Sequence, residues 1–192
     1  MGDDAALVDR LRAGDEAAFA ELVRRYQGRL LRLAEATVGS RALAQEVTQD
    51  TWLAVVRGVD RFEGRSSLAT WLFHILLNRA RSAARREERA GRPDETVGEQ
   101  FDARGAWVTP PQPWAERVED RLVARQLAGR VQELLGELPE VQRQVVVLRD
   151  VEGLPASEVG ELLGVSDGNQ RVLLHRGRAR LRELLTREMV DS

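Results

Sequence analysis

The segment from 171 to 182, RVLLHRGRARLR, carries Arg171, Arg176, Arg178, Arg180 and Arg182 and no acid. Guanidinium groups crowded into about three helical turns suit the binding of phosphate, and one of them can also pair bidentately with guanine. A helix in the major groove presents its N-terminal residues to base edges while flanking arginines fix register on the backbone. Asn169, Gln170, Arg171, His175 and Arg176 are the exposed candidates for reading bases, with Leu174 and Leu181 directed to a core. A solvated arginine-rich helix shares this composition; a turn and a short apolar helix just before it favour the DNA-reading alternative.

A second basic stretch lies between 74 and 92, where Arg79, Arg81, Arg85, Arg86, Arg89 and Arg92 meet only Glu87 and Glu88. Trp71, Phe73 and Asn78 belong to the same stretch. Aromatic rings interleaved with arginine suit unpaired bases, whose stacking is worth roughly 1 to 3 kcal/mol each. By spacing alone Trp71 fits a core position as well as a stacking platform, and Asn78 fits a surface or capping position. Between these stretches, 133 to 167 reverses the sign, with Glu133, Glu137, Glu140, Asp150, Glu152, Glu158, Glu161 and Asp167 against Arg143 and Arg149.

The elements that position these residues read as helices. Phe19, Leu22, Val23, Tyr26, Leu30 and Leu33 recur at helical spacing and predict a helix over 17–36. Gly39 and Ser40 interrupt it, and Leu43, Val47, Trp52, Val55, Val56 and Val59 mark a second over 41–59. After the loop DRFEGRSS, with Ser66 or Ser67 placed as cap, a third runs from Leu68 to about Arg86. Residues 89–120 lose the helical period, gain four prolines, and carry Phe101, Trp107 and Trp114; this is an extended linker. From 121, Leu122, Leu127, Val131, Leu134, Leu135 and Leu138 restore the helical pattern up to Pro139, and Val141, Val145, Val146 and Leu148 continue it. A short element over about 155–163 ends at Gly164, and Ser166 or Asp167 caps a final helix to about Leu185. No alternating strand pattern appears, so the expected fold is all-α, with small helical domains at 1–88 and 121–192 joined by the linker.

Composition narrows the function. The chain has 192 residues, 43% hydrophobic and 31% charged, enough apolar content to fold. Without cysteine it has no thiol chemistry and no cysteine zinc site, and without lysine it lacks the central residue of a Walker phosphate loop or a Schiff-base enzyme. Only two histidines remain, and neither belongs to a hydrolase elbow, an HExxH motif or a nucleophile–base pair. We therefore expect no catalysis, no metal and no cofactor. No apolar run approaches the roughly 18 to 20 residues of a membrane span and the N-terminal residues are acidic, so the expected location is the cytoplasm, without membrane insertion. The net charge of −2 predicts weak binding to free duplex DNA.

Three stretches in order, AQEVTQDTWLAVVRGVDRF, EGRSSLATWLFHILLNRARSAARR and LPEVQRQVVVLRDVEGLPASEVGELLGVS followed by the basic helix, resemble bacterial RNA polymerase sigma factors of the extracytoplasmic-function group. The likeness spans about 17–88 and 121–186. It implies that 1–88 is region two, which binds core RNA polymerase at its clamp helices and recognises and melts the minus-ten element, and that 121–192 is region four, which reads the minus-thirty-five element beside the polymerase flap. Carried over by position, Glu46, Gln49, Asp50 and Trp52 would meet the clamp. Arg61, Phe62, Arg65, Ser66, Trp71, Asn78, Arg81 and Arg85 would handle the minus-ten element, the loop capturing an unpaired base. Arg149, Asn169, Gln170, Arg171, Val172, His175, Arg176 and Arg178 would handle the minus-thirty-five element. The linker resembles a segment that threads the polymerase cleft, and an anti-sigma factor is an expected partner. The segment SDGNQRVLLHR departs from the usual pattern, which has threonine and valine at Asn169 and Gln170, and serine and arginine at Val172 and Leu173. Pro155 stands where serine is usual. A helical sensor joined to a helix-turn-helix regulator explains 121–186 equally well and leaves the aromatic basic helix unexplained.

Overall fold

A computed structural model of the chain describes residues 2–90, 130 and 133–191. Helix α1, Gly2–Arg12, has no counterpart in the periodicity reading; it buries Leu7 and Val8 and ends at Gly14, whose φ of 76° suits glycine. Helix α2, Glu16–Val38, starts where the Asp15 carboxylate accepts from the backbone N–H groups of Ala17 and Ala18 at 2.8 and 3.1 Å. A hydrogen bond from Arg10 to Asp15, at 2.8 Å, holds that carboxyl below the usual carboxylate range. Leu22, Tyr26, Leu30 and Leu33 form the buried face of α2. Gly39, with φ 68°, stops the helix by donating its N–H to the Glu35 carbonyl, and Ser40 caps the next one.

Helix α3, Arg41–Gly58, leads through a 3-10 turn, Val59–Arg61, and a six-residue loop to helix α4, Leu68–Ala90. Of the two serines placed to cap α4, Ser67 does so, its Oγ accepting from the Thr70 N–H at 3.1 Å. Helices α2, α3 and α4 pack mutually around Leu22, Leu30, Val47, Val55, Leu72, Phe73 and Leu76. The buried hydroxyls of Thr48 and Thr51 donate to the carbonyls of Ala44 and Val47, each at 2.7 Å, so neither leaves a polar group unsatisfied in that core.

The C-terminal unit contains helical residues 133–136, helix α5 (Glu140–Val146) running into a π-helical segment (Val147–Val151), helix α6 (Ala156–Leu163) and helix α7 (Asp167–Asp191). Pro155 precedes α6 without a side-chain cap, and Gly164, at φ 69°, turns the chain into α7. Helix α7 is one continuous rod of 25 residues, six residues longer at its end than the apolar spacing indicates. It crosses α5 at Gly177, where a Cβ would stand 2.7 Å from Val146 Cγ2 and 3.3 Å from the Gln142 carbonyl. Only glycine permits that approach. The two units also touch, α2 against α5 and α4 against α6. Phe101, Trp107 and Trp114 of the expected linker, and Leu122 and Leu127 of the expected helix after it, lie outside the described residues.

Candidate nucleic-acid interface

The loop between the 3-10 turn and α4 is held at both ends. Arg12 on α1 donates to the Phe62 carbonyl, the Phe62 N–H donates to Val59 at 3.1 Å, and Ser67 anchors the far end as the α4 cap. Gly64, at φ 70°, allows the bend between. The Phe62 and Trp71 rings lie 5.1 Å apart, tilted by 51°, and both are half-buried. Trp71 lies between the two positions its spacing left open, half-buried against the core with its ring edge beside Gly58. With Arg61, Arg65 and Ser66 the pair lines a cavity of about 300 Å³. A groove of about 520 Å³ continues from Arg61 and Trp71 between α3 and α4 past Asn78, Arg79, Ser82 and Arg86, its three arginines facing the single acid Asp50. Asn78 is exposed there, its amide 3.3 Å from His74 Nδ1. Arg85 is exposed and donates to the Arg81 carbonyl; Arg81 turns away from the groove and donates to the Leu162 carbonyl at 3.0 Å. An aromatic pair opening onto a cationic trough can stack an unpaired base and lead its backbone along α4.

On α3, Glu46 and Gln49 are exposed and Asp50 is half-buried. Trp52 is half-buried, its indole donating to Gln27 Oε1 at 2.5 Å and its ring meeting Phe19 edge to face at 5.9 Å. Leu53 and Val56, 52% and 57% exposed, extend the face of Glu46 and Gln49. The sequence reading assigned Val56 to the buried face and passed over Leu53. Both lie on the helical row i, i+3, i+7, i+10 from Glu46, a signal the sequence does contain.

In the C-terminal unit, Arg171, Val172 and His175 face solvent at the start of α7, and Arg176 is partly exposed beside them. Asn169 is exposed, and its N–H donates to the capping Ser166 Oγ at 3.3 Å. Arg178 forks onto Asp150 at 2.8 and 2.5 Å, a pairing that raises its pKa. Arg149 is half-buried and donates to the Leu154 carbonyl, its Nε being buried with no hydrogen-bond partner. One expectation is corrected. Gln170 is 1% exposed and does not face a base; it stands at the position where the usual sigma pattern has valine. Its Nε2 has no hydrogen-bond partner. A buried unpaired amide costs about 1 to 3 kcal/mol, so Gln170→Leu should raise the unfolding free energy by that order, measurable by chemical denaturation. Equal or lower stability would show that the amide is satisfied.

Among the described residues no cluster of His, Asp or Glu is arranged to hold a metal, and no helix is long and apolar enough to cross a membrane. What the geometry defines is a two-part helical protein, with a helix-turn-helix ending in an arginine-rich helix in one part and an aromatic, arginine-lined groove in the other. The Sigma-70 region 2 family model matches residues 22–90, and the Sigma-70 region 4 model matches 128–181. The RNA polymerase sigma factor CarQ of Myxococcus xanthus is 33% identical over 178 residues, covering 93% of this chain and 95% of that protein. The ECF RNA polymerase sigma factor SigW of Bacillus subtilis is 28% identical over 186 residues, covering 93% and 94%. Among solved structures, CnrH in complex with the cytosolic domain of CnrY superposes with a TM-score of 0.62 at 26% identity, over 95% of this chain and 97% of that one. RpoE of Bartonella quintana, in complex with the anti-sigma factor NepR, gives 0.59 at 25% identity over 86% and 97%. The chain belongs to the sigma-70 family, in its extracytoplasmic-function group: it is a sigma factor, which binds core RNA polymerase and directs promoter-specific initiation. The match to region 2 sets aside the free-standing regulator.

Proposed function

We propose that the cavity around Phe62 and Trp71 receives a base flipped from the minus-ten element, that Arg61, Asn78, Arg79 and Arg86 guide the adjoining single strand, and that Arg171, Val172, His175 and Arg176 read the minus-thirty-five element. The observation that carries this is the half-buried aromatic pair at the mouth of a pocket that opens into a cationic groove. Unpairing a base costs a few kcal/mol, and stacking on an aromatic platform returns a comparable amount. Melting and recognition are then one event. Arg65 and Ser66 line the same pocket and belong to the same assignment, as does the exposed Arg85 beyond the groove. Arg178 and Arg149, already engaged within the protein, serve chiefly to fix the helix-turn-helix.

The clamp-binding face consists of Glu46, Gln49, Leu53 and Val56, with Asp50 at its edge and Trp52 supporting it from below. Acids suit basic partner helices and the two exposed apolar side chains supply area that loses water on docking. Leu53→Asp should weaken binding to core polymerase about tenfold or more, with helical content unchanged; unchanged affinity in a fluorescence-anisotropy titration would place the interface elsewhere. The chain works by binding, without catalysis of its own, in the cytoplasm where the polymerase acts. An anti-sigma factor, such as NepR in the similar RpoE structure, is its expected negative regulator. Run-off transcription with core polymerase over a genomic fragment library tests the reading: defined start sites sharing two upstream elements support it, and no transcript overturns it.

A further inference from the structure

Between Phe62 and Leu68 the loop beside the base-receiving cavity has no apolar side chain to anchor it. Residues 63–66 are exposed, and their polar contacts, Glu63 with Arg65 and Ser66 with the Ser67 carbonyl, stay inside the loop. Gly64, at φ 70°, adds backbone freedom. What fixes the loop's path therefore acts at its ends. At the far end Ser67 caps α4. At the near end Phe62 leaves the 3-10 turn in an extended conformation, φ −73° and ψ 110°, so its carbonyl no longer follows the turn and needs another donor. That donor is Arg12, 50 residues earlier in the chain.

Several contacts hold Arg12 where it can do this. Leu7 and Val8, each 3% exposed, bury α1 on the core, and Arg10 ties its end to Asp15 at 2.8 Å and to Glu21 at 3.1 Å. Asp9 Oδ1 accepts from Arg12 Nη1 at 3.3 Å, which leaves Nη2 for the Phe62 carbonyl. Apolar packing between α1 and the 3-10 turn is incomplete, because Leu11 and Val59 line an open cavity of about 430 Å³ with Phe19, Val55 and Val56. The guanidinium supplies the directional contact there. Since a peptide unit is planar, a donor fixed on the Phe62 carbonyl sets the plane of the Phe62–Glu63 bond, and with it the direction in which 63–66 leave the ring pair.

We propose that Arg12 is a positioning residue for base capture: it holds the Phe62–Glu63 peptide so that the loop stands ready around the cavity, and it makes helix α1 part of the minus-ten machinery. The inference rests on the assignment of the Phe62–Trp71 cavity to a flipped base. Arg12 lines neither that cavity nor the groove beside it, so it acts on the base through the loop rather than by touching it. Its contribution is pre-organisation. A loop already in place loses little freedom when the base arrives, whereas a loop released at one end has to be ordered at each capture.

The test uses holoenzyme assembled with the full chain and single strands carrying the minus-ten element, either intact or with an abasic site at each position in turn. For the unaltered chain one position should stand out, and the ratio of abasic to intact Kd there measures what the cavity gains from the base. Trp71→Ala should lower that ratio. Arg12→Met keeps an unbranched apolar stem and removes the donors; it should lower the ratio roughly three- to tenfold, the scale of one hydrogen bond, by weakening the intact strand alone. Arg12→Lys restores a cationic donor and should bring the ratio back to within about twofold of the unaltered chain. Affinity for core polymerase and helical circular dichroism should be the same throughout. A merely structural role for Arg12 weakens intact and abasic strands equally, and that result overturns the proposal. So does an unchanged ratio in Arg12→Met beside a reduced one in Trp71→Ala, or a lysine variant no better than the methionine one. If no abasic position matters in the unaltered chain, the flipped-base reading itself falls, and the role of Arg12 with it.

Discussion

Replacing Trp71 by alanine should slow formation of the melted promoter complex by roughly 5- to 150-fold, the range that corresponds to losing 1 to 3 kcal/mol of base stacking. The effect belongs to melting, because Trp71 sits at the mouth of the pocket on α4 while the side chains proposed to bind the clamp stand on α3. Binding to core polymerase should therefore stay within about twofold. Phe62→Ala should act in the same direction, and the double variant should cost less than the two singles combined, since each ring supports the other across 5.1 Å. The measurement is the rate of permanganate reactivity at unpaired thymines near minus ten, at one fixed salt concentration. A pre-melted template, in which the strands are already unpaired, separates stacking from opening. If Trp71→Ala is slow on duplex and normal on the pre-melted template, the ring acts in opening; normal rates on both would remove Trp71 from the base-handling site and leave it a packing residue between Gly58 and Phe62.

Arg171→Ala should cost about 1 to 3 kcal/mol of discrimination at a single base pair of the minus-thirty-five element, if its guanidinium pairs with a guanine edge in the major groove. If it contacts phosphate instead, affinity should fall uniformly across sequences and the logarithmic salt slope should decrease by about one. A panel of single-base promoter variants, titrated at several salt concentrations with the polymerase holoenzyme, distinguishes the two. Arg178 provides the internal comparison. Its guanidinium is neutralised by both oxygens of Asp150, so Arg178→Ala should change the salt slope much less than Arg171→Ala does, although both are arginines on one helix. Equal slope changes would show that Asp150 releases Arg178 on DNA. No change in either affinity or slope for Arg171→Ala would withdraw α7 from the promoter interface.

Much of the arrangement was legible from local pattern. The 3.6-residue recurrence of Leu22, Tyr26, Leu30 and Leu33 and of Leu68, Leu72 and Leu76 placed α2 and α4, and all of these side chains are buried. Gly39 and Gly164 marked turns because a positive φ is costly for other residues, and both take it. Crowded arginines without acids marked α7. Each of these signals is carried by neighbours within a few turns of one helix, where side-chain spacing alone decides which face meets water.

What local spacing does not carry is the identity of the distant partner. Helix α1 was missed because its short stretch, GDDAALVDRLR, has a weak apolar face and is stabilised by docking on α2. Gln170 was read as exposed because glutamine is polar, whereas the packing of the C-terminal unit buries it. Leu53 was overlooked and Val56 counted as core because hydrophobicity does not reveal which helical row a partner leaves uncovered. Above all, no pattern in the chain announces that Glu152 meets Arg29 and Arg32, separated from it by 123 and 120 residues. Sequence alone placed the long amphipathic helices and the turns between them, the charge of the basic stretches and the likeness to the family. Tertiary structure decided which charges are satisfied within the protein and which remain for DNA and polymerase, because desolvating an ion depends on everything packed around it in space rather than on its neighbours in the chain.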